Sequence, residues 1–130
     1  MEDCIFCKII KGDIPSYTIY EDDLVKAFLD VNPNTNGHTL LIPKNHYKDI
    51  SEIPDAVISH SFTIIKEKLY PLLKEKLNCS GLTICQNNEY GQEVKHYHIH
   101  LIPRYENDNL EVIANKEILD SVENTYSNIV

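Results

Sequence analysis

Three histidines alternate with other residues in the segment 96–102, which reads His-Tyr-His-Ile-His-Leu-Ile. In a β-strand successive side chains point to opposite faces, so His96, His98 and His100 would share one face. In a helix the same spacing would scatter the three rings around the axis. Such a row suits a site that handles phosphate, protons or metal, whereas a chance cluster on a solvated sheet face is the plain alternative. Strict alternation favours the functional interpretation, and both metal chemistry and nucleophilic attack by a ring nitrogen remain open.

A C-x-x-C pair, Cys4 and Cys7, is the second feature that could do chemistry. A thioredoxin-like redox pair normally follows a strand, and no strand is predicted before position 4. Two core thiols are a second interpretation. A third is zinc, which would need two further ligands such as His46 and one histidine of the 96–100 row. A tetrahedral Cys2His2 set leaves no open coordination position, so that site would be structural.

Length and charge limit the classes of function. The 130 residues fit a single domain, 1–130. The net charge of −8 argues against a general affinity for nucleic acid or for anionic membranes. No apolar run approaches the roughly 18 residues of a membrane span, and the first residues lack the basic start of a secretory signal. Because the four cysteines do not resemble a disulfide framework either, we expect a cytoplasmic location.

The N-terminal half predicts one short helix and three strands that would position these groups. Apolar residues at helical spacing indicate a helix over 4–10, and Gly12 is a natural stop. Strands at 17–20 and 24–31 read as a hairpin. After a loop rich in turn-forming residues, a third strand is predicted over 38–43.

The C-terminal half predicts the long helix and the strand that carries the histidines. Apolar residues recur every three or four positions over 54–77, and Pro71 predicts a kink or a break there. Strands are predicted at 81–86 and 94–104, the second with the histidine row. Beyond them one short helix is predicted around 111–122. Hairpin-like connections with helices outside the sheet predict an α+β domain.

The histidine run resembles the defining motif of the histidine triad (HIT) family, in which three alternating histidines precede two apolar residues. Stretches similar to the nucleotide-binding, C-x-x-C branch of that family are 4–15, 30–33, 37–46 and 91–92. The resemblance covers a core of about 4–105 and leaves 106–130 as a C-terminal tail. It implies a HIT-like α+β fold, a five-stranded antiparallel sheet with one long and one or two short helices.

The activity implied by this resemblance is hydrolysis of nucleoside 5′-monophosphate derivatives, such as phosphoramidates, acyl-nucleotides or dinucleoside polyphosphates. His98 would attack the α-phosphorus and form a nucleotidyl-histidine intermediate. The implied catalytic residues are His98, His100, Gln92 and, in a supporting role, His38. The implied nucleotide-binding residues are Ile5, Phe6, Ile9, Phe28, Asp30, Asn87, Gln92, His98 and His100. In that set Asp30 would bind the ribose, the apolar residues would hold a purine base, and the others would contact phosphate.

A structural zinc ion and a homodimer are the other implications of the resemblance. The implied zinc ligands are Cys4, Cys7, His46 and His96. The metal would tie the N-terminal helix to the catalytic strand and so fix the position of His98. The dimer would pair through the long helix, 55–77, and an edge strand.

Two departures from the family pattern concern the loop before the histidines. Glu93 stands where many members carry a small residue, often serine. Its carboxylate would repel an anionic substrate, or act as an acid if its pKa were raised. The loop 88–91 is also about two residues shorter than expected.

Two further hypotheses remain open: a non-catalytic nucleotide sensor or scaffold, and a redox or metal-storage protein that uses the thiols.

Overall fold

Five strands form one antiparallel sheet in the computed structural model, which describes residues 3–130. The strands are β1 (Thr18–Glu21), β2 (Val25–Leu29), β3 (Thr39–Pro43), β4 (Gly81–Gln86) and β5 (Ile99–Arg104). Their order across the sheet is β1-β2-β3-β5-β4, and every neighbouring pair is antiparallel. The predicted α+β architecture with a five-stranded antiparallel sheet is therefore confirmed.

Two apolar cores lie on opposite faces of this sheet. The core against the long helix contains Val25, Ala27, Leu41, Ile64, Leu69, Ile99 and Leu101. The core against the N-terminal helix contains Phe6, Ile9, Phe28, Leu40 and Ile42. Because side chains alternate along β5, burial of Ile99 and Leu101 against the long helix turns His100 toward the N-terminal helix. This alternation separates the apolar face of β5 from its imidazole face.

The N-terminal helix, α1 (Ile5–Lys11), has a defined start and stop. The Cys4 thiol accepts a hydrogen bond from the Cys7 backbone N–H at 3.4 Å, so Cys4 is the N-cap. Gly12 ends the helix in the left-handed conformation, with φ of 85°. The prediction of a helix over 4–10 that stops at Gly12 is therefore correct to within one residue.

The long helix consists of α2 (Asp55–Ile64), a π turn (Ile65–Leu69) and α3 (Tyr70–Leu77). The irregularity predicted at Pro71 takes the form of this π turn, in which the Tyr70 N–H donates to the carbonyl five residues back, that of Ile65. Pro71 cannot donate a backbone hydrogen bond, and the wider turn before it accommodates this, so the helix continues instead of breaking. Within residues 3–130, no helix is both long enough and apolar enough to cross a bilayer.

The strand that was expected to begin at residue 94 begins at Ile99 instead. The preceding segment pairs with the loop after β3, where the Tyr97 N–H donates to the Tyr47 carbonyl at 2.7 Å. The His96 carbonyl is also occupied, because it accepts a hydrogen bond from the His98 ring. The prediction of a strand over 94–104 was thus wrong for its first five residues.

The helix predicted around 111–122 is also wrong. That stretch contains only a single 3₁₀ turn, Lys116–Ile118, and the helix lies further on, as α4 (Val122–Ile129). The reason is local, because the Ser121 side chain accepts a hydrogen bond from the Asn124 backbone N–H at 3.1 Å. This N-cap places the start of the helix immediately after Ser121.

Replacement of Gly37 by alanine is expected to destabilise the turn that leads into His38. Gly37 has φ of +89°, and a Cβ there would collide with Leu77 and lie 3.2 Å from Cγ of Pro103. We expect Gly37→Ala to lower the free energy of unfolding, measured by urea denaturation, by roughly 1–3 kcal/mol. Gly12→Ala is the matched control, because φ is also positive there but nothing lies within 4 Å. Equal losses in the two variants would contradict this account of the contact.

Candidate active site and metal cluster

A cavity of about 720 Å³ opens between α1, the ends of β2 and β3, and the loop that joins β4 to β5. Nine of the predicted site residues line it, namely Ile5, Phe6, Ile9, Phe28, Asp30, His38, Asn87, His98 and His100. In the apolar wall Phe6 packs edge-on against Phe28 with ring centroids 5.6 Å apart, a favourable aromatic arrangement. The structure therefore places the apolar slot and the imidazoles on the same cavity.

His98 is the most buried imidazole of the cavity lining with a ring nitrogen that has no hydrogen-bond partner among residues 3–130. Its Nδ1–H donates to the His96 carbonyl at 2.7 Å, which leaves the lone pair on Nε2. Phe6 contacts the ring edge-on at a centroid distance of 5.1 Å. Burial lowers the pKa of His98 below its usual value, against the opposing effects of the His96 carbonyl and the carboxylates of Asp30 and Glu93. The ring is therefore neutral near pH 7 and nucleophilic at Nε2.

His38 and His100 form a directional pair beside His98. The Asn34 backbone N–H donates to Nδ1 of His38 at 3.0 Å, so the proton of neutral His38 is on Nε2. That Nε2–H lies 2.9 Å from Nδ1 of His100, which must accept it. Burial lowers the pKa of His38 and lowers that of His100 to about 4, so both rings are neutral. His100 consequently carries its proton on Nε2, where it can donate to an anionic ligand.

These hydrogen bonds predict a specific set of tautomers. In ¹⁵N spectra of the protein at pH 7, we expect Nδ1–H for His98 and Nε2–H for both His38 and His100. In His38→Ala, His100 loses its fixed donor and we expect a mixture of its two tautomers, while His98 keeps Nδ1–H. A spectrum with a protonated Nδ1 on His100 in the unmodified protein would contradict the pairing.

Gln92 does not line the cavity, and its side chain holds the β4–β5 loop. Its amide Nε2–H donates to the Lys48 carbonyl at 2.7 Å, and its Oε1 accepts from the Glu89 backbone N–H at 3.2 Å. The role of Gln92 as a phosphate contact stays a prediction. The neighbouring Glu93 does line the cavity.

Several residues of the cavity lining were not identified from the sequence, among them Asn34 and Cys85. Asn34 acts through its backbone N–H, which no side-chain pattern reveals. Cys85 lines the cavity because it pairs directly with His100 across β4 and β5 and so lies on the same face of the sheet. The signal for Cys85 was available in the alternation of β4, but it needed the register of the two strands.

A second cluster joins the N-cap of α1 to the segment before β5. Sγ of Cys4 lies 3.4 Å from Nδ1 of His96, and Sγ of Cys7 lies 3.4 Å from Nδ1 of His46. The two Nδ1 atoms are 3.1 Å apart. All four ligand atoms lie within 4.8 Å of one another. The structure thus brings together the four residues that were predicted as metal ligands.

The geometry and tautomers of this cluster fit a tetrahedral zinc ion. Zn–S bonds of about 2.3 Å and Zn–N bonds of about 2.0–2.1 Å give S···N edges of about 3.5 Å and an N···N edge of about 3.3 Å. The observed edges are close to these values. In addition, the Nε2–H of His96 donates to the Pro43 carbonyl at 2.9 Å, which leaves the Nδ1 lone pair toward the thiols.

Comparison with known proteins gives the class to which this fold and site belong. A family model described as HIT domain matches residues 11–107. A HIT-like protein of Methanocaldococcus jannaschii is 47% identical over 117 residues, 88% of this chain and 88% of that protein. An adenosine 5′-monophosphoramidase of Saccharomyces cerevisiae is 41% identical over 103 residues, 78% of this chain and 62% of that protein. The chain therefore belongs to the HIT domain family, and the predicted family resemblance is confirmed.

Solved structures agree with this membership. A Streptococcus mutans protein superposes with a TM-score of 0.86 at 38% identity, covering 99% of this chain and 82% of that chain. A zinc-bound histidine triad family protein of Mycobacterium smegmatis has a TM-score of 0.78 at 33% identity, covering 88% of this chain and 84% of that chain. The HIT-like fold that was predicted from the resemblance is confirmed.

Proposed function

We propose that this protein is a hydrolase of nucleoside 5′-monophosphate derivatives, in particular phosphoramidates and acyl-nucleotides, that acts through a nucleotidyl–His98 intermediate. The observation that carries the proposal is the Nδ1–H hydrogen bond from His98 to the His96 carbonyl, which leaves a nucleophilic Nε2 on the cavity wall. The protein belongs to the HIT domain family, and its similarity to an adenosine 5′-monophosphoramidase supports this activity.

In the proposed first step, Nε2 of His98 attacks the α-phosphorus. The bond from phosphorus to the leaving group breaks as the new P–N bond forms, and the leaving group departs with its electron pair, which in an amine takes up a proton from solvent. Water then attacks the phosphorus and loses a proton to solvent, the P–N bond to His98 breaks, and its electron pair returns to Nε2 as the nucleoside monophosphate is released. The Nε2–H of His100 stabilises the charge that develops on the phosphate oxygens, with His38 as the positioning residue that fixes this tautomer.

The nucleoside occupies the other end of the cavity in this proposal. A purine base stacks in the slot of Ile5, Phe6, Ile9 and Phe28, and Asp30 accepts hydrogen bonds from the ribose hydroxyls. The Asp30 carboxylate is held in place because its Oδ1 accepts the Asn32 backbone N–H at 2.9 Å. Its Oδ2 lies 3.6 Å from Nε2 of His38, and both side chains line the cavity.

We further propose that Cys4, Cys7, His46 and His96 hold a structural zinc ion. Four protein ligands would fill the tetrahedral shell, so the metal would supply a cross-link and no open catalytic position. His96 lies two residues before His98, and its carbonyl accepts the Nδ1–H of His98. The cross-link therefore immobilises the group that sets the tautomer of the nucleophile. The cysteines of the protein form no disulfide within the described residues, which suits a reducing compartment and supports a cytoplasmic location.

The proposed homodimer uses the long helix, where Phe62 and Leu77 are exposed apolar side chains. We expect the sedimentation coefficient of a dimer at micromolar concentration, because exposed apolar side chains on a folded surface favour association. Phe62→Glu is expected to shift the protein to a monomer, whereas Ile50→Glu, which changes an exposed apolar residue outside the helix, is expected to leave the dimer intact. A monomer in the unmodified protein would contradict this interface.

The test of the proposed function is a panel of adenosine and guanosine phosphoramidates, an acyl-adenylate and a dinucleoside polyphosphate, with release of nucleoside monophosphate as the readout. We expect turnover of the phosphoramidates and the acyl-adenylate. Nucleotide binding without turnover on any member of the panel would overturn the hydrolase assignment and leave a sensor in its place.

A further inference from the structure

The cavity is lined by negatively charged groups and, among residues 3–130, by no lysine or arginine. Its lining contains two carboxylates, those of Asp30 and Glu93. The chain as a whole has a net charge of −8, so no long-range field compensates for this. A site that must accommodate a polyanionic leaving group would be expected to supply cations, and this one supplies none.

Glu93 is the exposed member of this charged lining. Asp30 is half-buried, whereas Glu93 is exposed to solvent. Within the described part of the chain, Glu93 forms no ion pair. The nearest lysine in sequence, Lys95, directs its ammonium group to the Glu89 and Gln92 carbonyls, at 2.9 Å each. The Glu93 carboxylate is therefore available to a ligand.

The position of Glu93 relative to His98 assigns it to the leaving group. In an in-line displacement at phosphorus, the leaving group departs on the side opposite the attacking atom. His98 is buried in the cavity wall, so the leaving group faces the mouth. The walls from α1 and β2 provide the apolar slot, whereas Glu93 lies on the β4–β5 loop. The apolar slot and Glu93 thus belong to different structural elements of the cavity wall.

We propose that Glu93 is a specificity-determining residue that selects substrates whose leaving group is an amine carrying a further positive charge, such as a diamine or a lysine-like side chain. This inference rests on the proposed hydrolase function and names its substrate class. Leaving groups that carry an additional anionic group away from the bond to phosphorus, such as a phosphate, a sulfate or a distal carboxylate, are disfavoured by the Glu93 carboxylate.

Two adenosine 5′-phosphoramidates of matched length test this inference. One has 1,3-diaminopropane as the leaving amine and presents a distal ammonium group, and the other has β-alanine and presents a distal carboxylate. We expect kcat/KM of the unmodified protein to favour the first substrate, and Glu93→Gln to reduce that preference by about tenfold. Glu93→Lys is expected to reverse it. Raising the salt concentration should weaken the preference in the unmodified protein but not in Glu93→Gln.

Glu89→Gln is the matched control for the charge change. Glu89 is an exposed carboxylate of the same loop that does not line the cavity, so its replacement is expected to leave the preference unchanged. The preference is the ratio of the kcat/KM values of the two substrates, measured on the same variant. A loss of folded protein therefore lowers both values equally and leaves the ratio unchanged. If both substrates turn over with a ratio that is independent of residue 93, the role of Glu93 is overturned while the hydrolase remains. If neither substrate turns over, the proposed function itself is overturned.

Discussion

The variant His98→Ala is expected to lose at least about 10³-fold in kcat for release of nucleoside monophosphate, because it lacks the atom that bonds to phosphorus. Nucleotide binding should persist, since the apolar slot and Asp30 are untouched. The substitution removes the covalent step but not the contacts that bind the nucleoside. We therefore expect kcat to fall, with little change in the affinity for a nucleoside monophosphate. Steady-state kinetics together with calorimetric titration of the nucleotide separate the two quantities.

A second cavity-lining residue provides the control for this variant. Cys85 lies opposite His100 on β4 and lines the same cavity, but it has no role in the proposed chemistry. Cys85→Ser should therefore keep kcat within a few-fold of the unmodified protein. An unimpaired rate in His98→Ala would show that the covalent intermediate does not form on this ring.

Removal of zinc is expected to have the largest effect on stability. A structural zinc site contributes its binding free energy to folding, so its loss should cost at least about 3 kcal/mol, or roughly 10 °C in Tm for a domain of this size. We expect one zinc ion per chain by elemental analysis and a lower Tm in the presence of a chelator. Activity should fall as well, because His96 supplies the carbonyl that fixes the His98 tautomer.

Substitutions of two different cysteines distinguish the effect of losing zinc from the effect of losing any thiol. Cys7→Ser should abolish the zinc content and reproduce the lower Tm without chelator. Cys85→Ser should retain one zinc ion per chain, because Cys85 lies outside the Cys4–Cys7–His46–His96 cluster. A metal-free protein with a Tm that does not respond to chelator would contradict the zinc assignment and would favour a thiol role for the pair.

The face of the sheet that carries the chemistry could be predicted from the alternation of the histidines. Burial of Ile99 and Leu101 against the long helix requires His100 to point the other way, whatever the rest of the chain does. The start of β5 could not be predicted in this manner. It depends on the hydrogen bond from the Tyr97 N–H to the Tyr47 carbonyl, which joins two loops that are distant in sequence.

The hydrogen-bond partners of individual polar side chains could not be predicted from the sequence. The residues alone offered His46 only as one candidate ligand for the thiols, and the family resemblance selected the full set with His96. In the structure Nε2 of His60 donates to the Asp22 carboxylate at 2.7 Å, and His60 is not part of the cysteine–histidine cluster. The direction of the Gln92 amide, toward Lys48 and Glu89, likewise depends on how the loops pack.

The most direct test of the central claim is chemical trapping of the intermediate. The protein is mixed with an α-³²P-labelled adenosine phosphoramidate, quenched in alkali within milliseconds to preserve phosphohistidine, digested and mapped by mass spectrometry. We expect adenylyl label on His98, formed and lost at rates that match turnover. Label on any other residue, or turnover with no labelled protein at any time, would contradict it.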